Sequence, residues 1–541
     1  MNTNFFKSEK ISLNGAWQFF PEGESPAEIR VPSHWTHGVA WNYPAAWESV
    51  EYAAYERDIE LPELAPGFSA WLRFEAVMLK ARVLLDGVEI GHHAGGFTPF
   101  ECEVTSSAGR HARLRVEVQS AASAYGEAGL EYPISYPKDK EEGPLPGGIW
   151  QPVHLLIRPP VYVSEYELCT SVREGTVDLS VKLTSHLPQA RSVRVRFTVP
   201  EANRVLLDET LRLGTDTNQE LEQQAPIGDL GLWSPESPQL HHGEIRVEDA
   251  QEGHPLLVEP VRFGLREFSC KGRDFHLNCK KIHLLGTSLV RHRISPHLWR
   301  RDYLRLLFTE FKKLGLNTLR THGSLCPEVV LDVADECGMM IQNQSAIWSS
   351  GVWGYHAADE VFLENAKREF RDWFCRDRNH PSVVLWDVEN EQVRILPETA
   401  PMIRRLIDTL RRAGAREPIV ASGASGFDVG DVYHLHCDPQ PTAVIRRWAE
   451  GNYTRPFIHG EWWADKTRLN KNGYLNACMA GRWRVPFDFE ETDDILEAAG
   501  YLYAEEFIAN RLQDISGTTA FSFETLCFEP IFQPGEKLRL P

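Results

Sequence analysis

Through residues 10–160 apolar and polar positions alternate in short runs, such as AWLRFEAVMLKARVLLDGVEIG (70–91), set apart by glycine and proline turns. A period of two puts successive side chains on opposite faces, so this stretch predicts antiparallel strands packed as a β-sandwich. Pro159-Pro160 interrupts the pattern after Arg158. A second alternating series follows, including VDLSVKLTSH (177–186) and VRVRFTVP (193–200), and predicts a smaller, separate sandwich ending near Phe263-Gly264.

Beyond residue 265 strand-like runs alternate with helical ones. The candidate strands are KIHLLGT (281–287), LNTLRT (316–321), MMIQN (339–343), SVVLWDV (382–388), PIVAS (418–422), VYHLHC (432–437), PFIHGE (456–461) and TTAFSF (518–523). Between them, LWRRDYLRLLFTEFKKLG (298–315) and EVVLDVADECG (328–338) are amphipathic, and each closes on a glycine able to cap a helix. Eight strands with intervening helices predict a (β/α)8 TIM barrel over 265–541. Only 18 residues follow Phe523, and they include Pro530, Pro534 and Pro541, so no good eighth helix is expected. Either the barrel closes irregularly or the chain is the front part of a longer polypeptide.

A chain of 541 residues exceeds one hydrophobic core, in keeping with a division into residues 1–160, 161–264 and 265–541. Asp and Glu number 76 against 57 Lys and Arg, a formal charge of −19, which disfavours an electrostatic grip on nucleic acid or anionic lipid. The stretch MNTNFFKSEKISLNGAW has no signal-like apolar core, and no run approaches the roughly 20 apolar residues that a membrane helix needs. A cytoplasmic protein is expected. Ten cysteines without a Cys-x-x-Cys pair argue against a zinc ribbon and a disulfide framework.

Two candidate strands end in glutamate: SVVLWDVENEQ (382–392) leads to Glu391, and RPFIHGEWWAD (455–465) to Glu461. Parallel strands of one barrel deliver their C-terminal ends to the same rim, where such barrels place their chemistry. Carboxylates paired across a cleft suit glycoside hydrolysis with retention. One donates a proton to the leaving oxygen, and the other, about 5 to 5.5 Å away, attacks the anomeric carbon. Glu389 competes for a place beside Glu391, since residues two apart on a strand share a face.

RNHPSVVLWDVENE (378–391) resembles the acid/base signature of glycoside hydrolase family 2, which contains β-galactosidases, β-glucuronidases and β-mannosidases. In that family an Asn-Glu pair ends barrel strand four and a second glutamate ends strand seven. The resemblance implies Glu391 as acid/base, with Asn390 before it, and Glu461 as nucleophile. LNGAWQF (13–19), VPSHW (31–35) and GGIWQPVHL (147–155) look like the family's N-terminal sugar-binding sandwich. FGLREF (263–268) with FHLNCKKIHLLGTS (275–288) looks like its passage into the barrel, and LGLNTLRTH (314–322) like its second strand. The architecture so implied is a jelly-roll-like sandwich, an immunoglobulin-like sandwich and a TIM barrel. The activity implied is that of a retaining exo-β-glycosidase on a carbohydrate substrate, a β-galactoside weakly favoured, with no cofactor; a homo-oligomer is reasonable. The rivals are β-glucuronidase or β-mannosidase specificity and a carbohydrate-binding homologue without activity.

Further residues acquire roles from their positions. Asn390 could bond a sugar 2-hydroxyl, and Arg320, at the end of strand two, could keep Glu461 ionised. Glu391 needs the opposite, a raised pKa from desolvation and the facing carboxylate. Glu389 is a hydroxyl-binding or structural partner. Trp462 and Trp463 follow the nucleophile, and Trp348, Trp353 and Trp386 lie on nearby elements, where aromatic faces can stack on sugar rings. His434 and His436 share a strand face with Asp438 beyond. That spacing occurs in metal sites, but a hydroxyl-binding His436 is the preferred reading, and no metal is expected. Three departures from the family bear on specificity. Thr321-His322-Gly323 stands where a Ser-His pair is usual, Gln342-Asn343-Gln344 where an acid is common, and Phe521 where a tryptophan is usual. Asn470-Lys471, which resembles a carboxylate-binding pair, precedes strand eight instead of following it and is read as a turn.

Overall fold

A computed structural model of the protein describes residues 7–36, 41–124, 131–133, 146–289, 299–348, 360–424, 428–436, 454–462, 508 and 515–520. The first sandwich has a six-stranded antiparallel sheet in the order Ala27–Val31, Gly15–Pro21, Tyr52–Leu61, Arg110–Gln119, Lys80–Leu85 and Val88–Ala94. Against it lies a four-stranded sheet of Glu9–Ser12, Val153–Arg158, Ser69–Phe74 and Phe100–Glu103. Alternation in the sequence becomes alternation in burial, and Trp17, Phe19, Tyr55, Leu72 and Phe74 fill the space between the sheets. The second sandwich packs a three-stranded sheet (Val161–Ser171, Thr176–Ser185, Thr217–Pro226) on a four-stranded one (Arg204–Leu213, Arg191–Val199, His241–Asp249, Pro255–Phe263).

All eight expected barrel strands form. In chain order they are Leu284–Leu289, Thr318–Thr321, Met340–Gln344, Val383–Asn390, Ile419–Ser422, Tyr433–His436, Phe457–Trp462 and Gly517–Ala520, called here strands one to eight. They pair in parallel in that cyclic order, and a bridge from Val420 to Val432 joins strands five and six. The two amphipathic runs become helices Arg301–Lys313 and Glu328–Cys337. Gly338 ends the latter in the left-handed region at φ 71°, and a Cβ there would lie 2.5 Å from the Pro235 carbonyl oxygen, so only glycine fits both demands. Three short strands, Phe268–Lys271, Asp274–Leu277 and Lys280–Ile282, cover the N-terminal end of the barrel, where Phe268, Phe275 and Leu277 join Leu284, Met340, Val384 and Ile458 in one apolar cluster. The open rim is therefore the C-terminal one.

Several motifs that resemble family signatures serve as joints. Trp150 of GGIWQPVHL belongs to the same buried cluster as Phe308, Phe311 and Trp373 of the barrel helices, and its carbonyl accepts a hydrogen bond from Trp299 Nε1 at 3.1 Å. A buried aromatic of this class costs about 3–5 kcal/mol to truncate, so the first sandwich is tied firmly to the barrel. Arg378 and Asn379 of the RNHP segment grip the second sandwich. Arg378 pairs with Glu165 and Glu167 at 3.1 Å each, while Asn379 donates to the Tyr166 carbonyl at 2.8 Å and accepts from Leu168 N–H at 3.2 Å. The segment that leads into strand four thus anchors that strand to the second sandwich.

His380 of the same segment lies 2.6 Å from Asp335 Oδ2 through Nδ1. Burial disfavours its charge, but the Asp335 carboxylate outweighs burial and pushes the imidazole up to about 9. A histidine pKa raised on folding stabilises fully below the unfolded value of about 6.5 and loses that contribution as the pH rises towards 9. Thermal unfolding followed from pH 6 to 9.5 is expected to show a steeper fall in Tm for the wild type than for His380→Gln. Parallel profiles would exclude the coupling. Among the described residues no helix is long and apolar enough to cross a membrane, and the described cysteines are all free thiols.

Candidate active site

Strands four and seven finish in the same unusual way. The pairing register slips between Asp387 and Asn390 on strand four, and between Gly460 and Trp462 on strand seven. Just there Glu391 and Glu461 adopt left-handed backbone, with φ of 56° and 46°. The other described non-glycine residues with positive φ are Asn, Asp and one Cys, types that tolerate this region or sit in turns. For glutamate it costs of order 1 kcal/mol or more. A bulge with such a twist re-aims a side chain, and both glutamates turn into the mouth of the barrel. One oxygen of each carboxylate and one ring nitrogen of His436 lie within 4.8 Å of one another.

Glu461 is held from three sides. Arg320 Nη1 donates to Oε1 at 2.5 Å, His322 Nε2 lies 2.9 Å from the same oxygen, and His436 Nδ1 lies 3.1 Å from Oε2. Burial opposes its charge, but His436, Arg320 and His322 together outweigh burial and hold the carboxyl well below the usual range. Arg320, fully buried, spends its other nitrogens on Asp387 Oδ2 (3.3 Å) and Asn390 Oδ1 (2.6 Å). Because a guanidinium only donates, the second bond fixes the Asn390 amide with its oxygen on Arg320 and its Nδ2 donor turned away from it.

Glu391 accepts through Oε1 from His436 Nδ1 at 2.9 Å and from Arg394 Nη1 at 2.9 Å. Oε2 has no protein partner among the described residues. Here the structure corrects the expectation of a raised pKa: burial acts upward, as anticipated, but the His436 hydrogen bond and charge, with Arg394 behind them, bring the resting carboxyl below its ordinary value. His436 in turn is raised, since the charges of Glu461 and Glu391 overcome its burial. One imidazolium thus bridges both carboxylates, where the sequence suggested a contact to a sugar hydroxyl.

Beneath this trio lies a buried polar layer centred on Asp387 Oδ2, which accepts from Ser422 Oγ at 2.5 Å and from Gln342 and Gln344 Nε2 at 2.7 Å each. This explains the departure on strand three. An acid at 342 or 344 would face the Asp387 carboxylate in a dry interior, whereas an amide donates to it. His434 is buried in the same layer, well below its ordinary pKa because of burial first and the His436 charge second. Its ring occupies the space over Gly460, where a Cβ would fall 2.1 Å from Cε1. His434 is not part of the close group formed by Glu391, His436 and Glu461, and Asp438 lies outside the described residues.

The structure brings together Glu391, Glu461, Asn390, Arg320, His322 and His436. Glu389 stands apart from the cleft. It is fully buried and accepts the Gln392 N–H at 2.5 Å through Oε2, and burial followed by the Asp387 charge pushes its carboxyl well above the ordinary range. Of the two roles open to it, this position fits the structural one. Trp386 is also a core residue, packed edge-on to Trp373 at 5.0 Å, and Trp348 is buried next to Asn390, with which it forms a β-bridge. Trp462 ends strand seven; Trp463, Trp353, Asn470-Lys471, Phe521 and the residues beyond it lie outside the described residues. Sequence reasoning missed Asp387, Ser422 and Arg394. Asp387 could have been found as the next member inward of the face that carries Glu389, and Arg394 as the residue one helical turn after Glu391.

Comparisons with known proteins agree with this architecture. Residues 161–266 match the description "Glycosyl hydrolases family 2", and residues 268–478 match "Glycosyl hydrolases family 2, TIM barrel domain". The chain is 25% identical over 404 residues to a β-galactosidase of Thermoanaerobacter pseudethanolicus, covering 70% of this chain and 51% of that protein. It is 24% identical over 415 residues to a β-glucuronidase of Streptococcus agalactiae, covering 70% of this chain and 66% of that one. The chain thus spans about half to two thirds of the length of these relatives. Among solved structures, a Bacteroides uniformis β-glucuronidase superposes with a TM-score of 0.76 at 19% identity, over 96% of this chain and 66% of that one. Two sandwiches ahead of a parallel barrel, two matching family descriptions over more than half its length, and relatives of the same kind mean that the chain belongs to glycosyl hydrolase family 2.

Proposed function

We propose that this protein is a retaining exo-β-glycosidase that removes a terminal β-linked sugar by double displacement, with Glu461 as nucleophile and Glu391 as acid/base. The observation that carries the reading is the approach of the two carboxylates to within 4.8 Å. That spacing leaves no room for a water between them, as inversion would need, and suits direct attack on the anomeric carbon. In the first step a Glu461 oxygen bonds to the anomeric carbon while the glycosidic C–O bond breaks, and the Glu391 proton goes to the departing oxygen. In the second, Glu391 takes a proton from water, the water oxygen bonds to the anomeric carbon, and the bond to Glu461 breaks. Asn390 Nδ2 offers its hydrogen bond to the sugar 2-hydroxyl. No cofactor takes part. The glycone is a β-galactoside or a β-glucuronide, the activities named for the two relatives above. The departures on strands two and three favour neither sugar over the other.

Intact-protein mass spectrometry after exposure to activated 2-fluoro-β-galactoside and 2-fluoro-β-glucuronide tests this. The expected result is a mass increase of one glycosyl unit with one of the two, mapped by proteolysis to Glu461. No adduct with any sugar, together with measurable sugar binding, would replace the reading by that of a non-catalytic carbohydrate-binding protein.

A further inference from the structure

Glu391 carries two cations on one oxygen, and they differ in kind. His436 is buried and shared with Glu461, whereas Arg394 is 41% exposed at the side chain and stands on the short helix Gln392–Ile395 at the barrel rim. Glu391 is its one polar partner among the described residues. When Glu391 holds the proton that it must donate, that partner carries no charge. Arg394 is then a guanidinium without a counter-ion, its Nη1 within 2.9 Å of the carboxyl beside which the glycosidic bond breaks. Arg320, by contrast, is fully buried and commits each of its three nitrogens, to Asp387, Glu461 and Asn390.

Resting on the acid/base reading of Glu391, we propose that Arg394 forms a leaving-group subsite for a carboxylate, so that the preferred substrates are β-glycosides whose departing moiety is acidic, such as a uronate-bearing saccharide. A substrate carboxylate draws the guanidinium off Glu391 by a charge-assisted, two-pronged hydrogen bond. The same movement removes a cation that favours the ionised acid/base, so an acidic leaving group both binds and restores the proton to the group that must supply it. Among the described residues the titratable and charged groups facing Glu391 are His436 on strand six, Glu461 on strand seven and Arg394 on the rim helix, and of the two bases Arg394 is the exposed one.

The test compares 3-carboxyphenyl and isosteric 3-carbamoylphenyl β-glycosides of the sugar found by labelling, using the wild type, Arg394→Gln and Arg394→Lys. The wild type is expected to favour the carboxylate by about tenfold or more in kcat/KM. Arg394→Gln should bring the ratio near one, and Arg394→Lys should keep part of it. With the neutral carbamoyl substrate, the basic limb of the kcat/KM profile should move to higher pH in Arg394→Gln, because a cation beside Glu391 is gone; a guanidinium that merely braced the loop would leave that limb in place. The same pair of glycosides is titrated by calorimetry into Glu461→Gln with and without Arg394→Gln. A carboxylate preference in affinity that depends on Arg394, in the absence of turnover by the wild type, would keep the subsite while the hydrolytic reading falls. Equal carboxylate-to-carbamoyl ratios in the wild type and in Arg394→Gln, in both kinetics and affinity, would overturn the subsite.

Discussion

Glu461→Gln is expected to lower kcat on the labelled sugar's aryl glycoside by roughly 10⁴-fold or more, with the fold retained. The amide keeps the shape of the side chain and its acceptor for Arg320, but it cannot attack an anomeric carbon. The surroundings of Glu461 make this a clean test. Arg320 and His322 reach Oε1 and His436 reaches Oε2, so in the wild type the charge is both present at working pH and fixed in direction. Loss of the carboxylate also leaves the buried Arg320 with Asp387 as its only anionic partner among the described residues. Single-turnover kinetics with a 2,4-dinitrophenyl glycoside measure the effect directly. A variant that retained more than a tenth of wild-type turnover would remove Glu461 from the nucleophile's role.

Glu391→Ala is the second large effect, and its signature is dependence on the leaving group. For a poor leaving group the loss should be about 10²–10⁴-fold, the usual worth of a positioned general acid. For 2,4-dinitrophenolate, which departs without a proton, the glycosylation step should be nearly unaffected and the glycosyl-enzyme should accumulate. Azide, needing no general base, should then restore turnover and give a β-glycosyl azide, identified by NMR. If azide neither restores turnover nor yields that product, Glu391 is not the acid/base. The lowered pKa of Glu391 adds a pH consequence. The nucleophile must be ionised and the acid protonated, and a carboxyl held below its ordinary range loses its proton early as the pH rises. With a neutral leaving group, kcat/KM should therefore peak on the acidic side of neutrality and fall about tenfold per pH unit above the Glu391 pKa. An optimum at alkaline pH would contradict the charge arrangement around His436.

The sequence by itself determined the barrel strands, two of the helices and the place of Glu391 and Glu461 at the strand ends. Strand periodicity and helix periodicity are local consequences of where a backbone points its side chains, so the alternation around Val177 and the eight short apolar runs after 265 could be read directly. That Glu391 and Glu461 share a rim also followed, because parallel strands of one barrel all end on the same side. What only the tertiary structure decided was which side chains meet across the barrel. The convergence of Arg320, His436 and Asp387 joins strands two, six and four, and no local pattern encodes such a contact. The register slips that turn both glutamates inward are likewise products of closing eight strands into a ring. That Trp150 and Arg378 sit at domain joints was not legible either, since a motif looks the same whether it lines a cleft or a domain joint. The charge balance at Glu391 was the least legible of all. Its pKa depends on Arg394, three positions on, and on the distances to His436 and Glu461, 45 and 70 positions away, which exist only once the chain has folded.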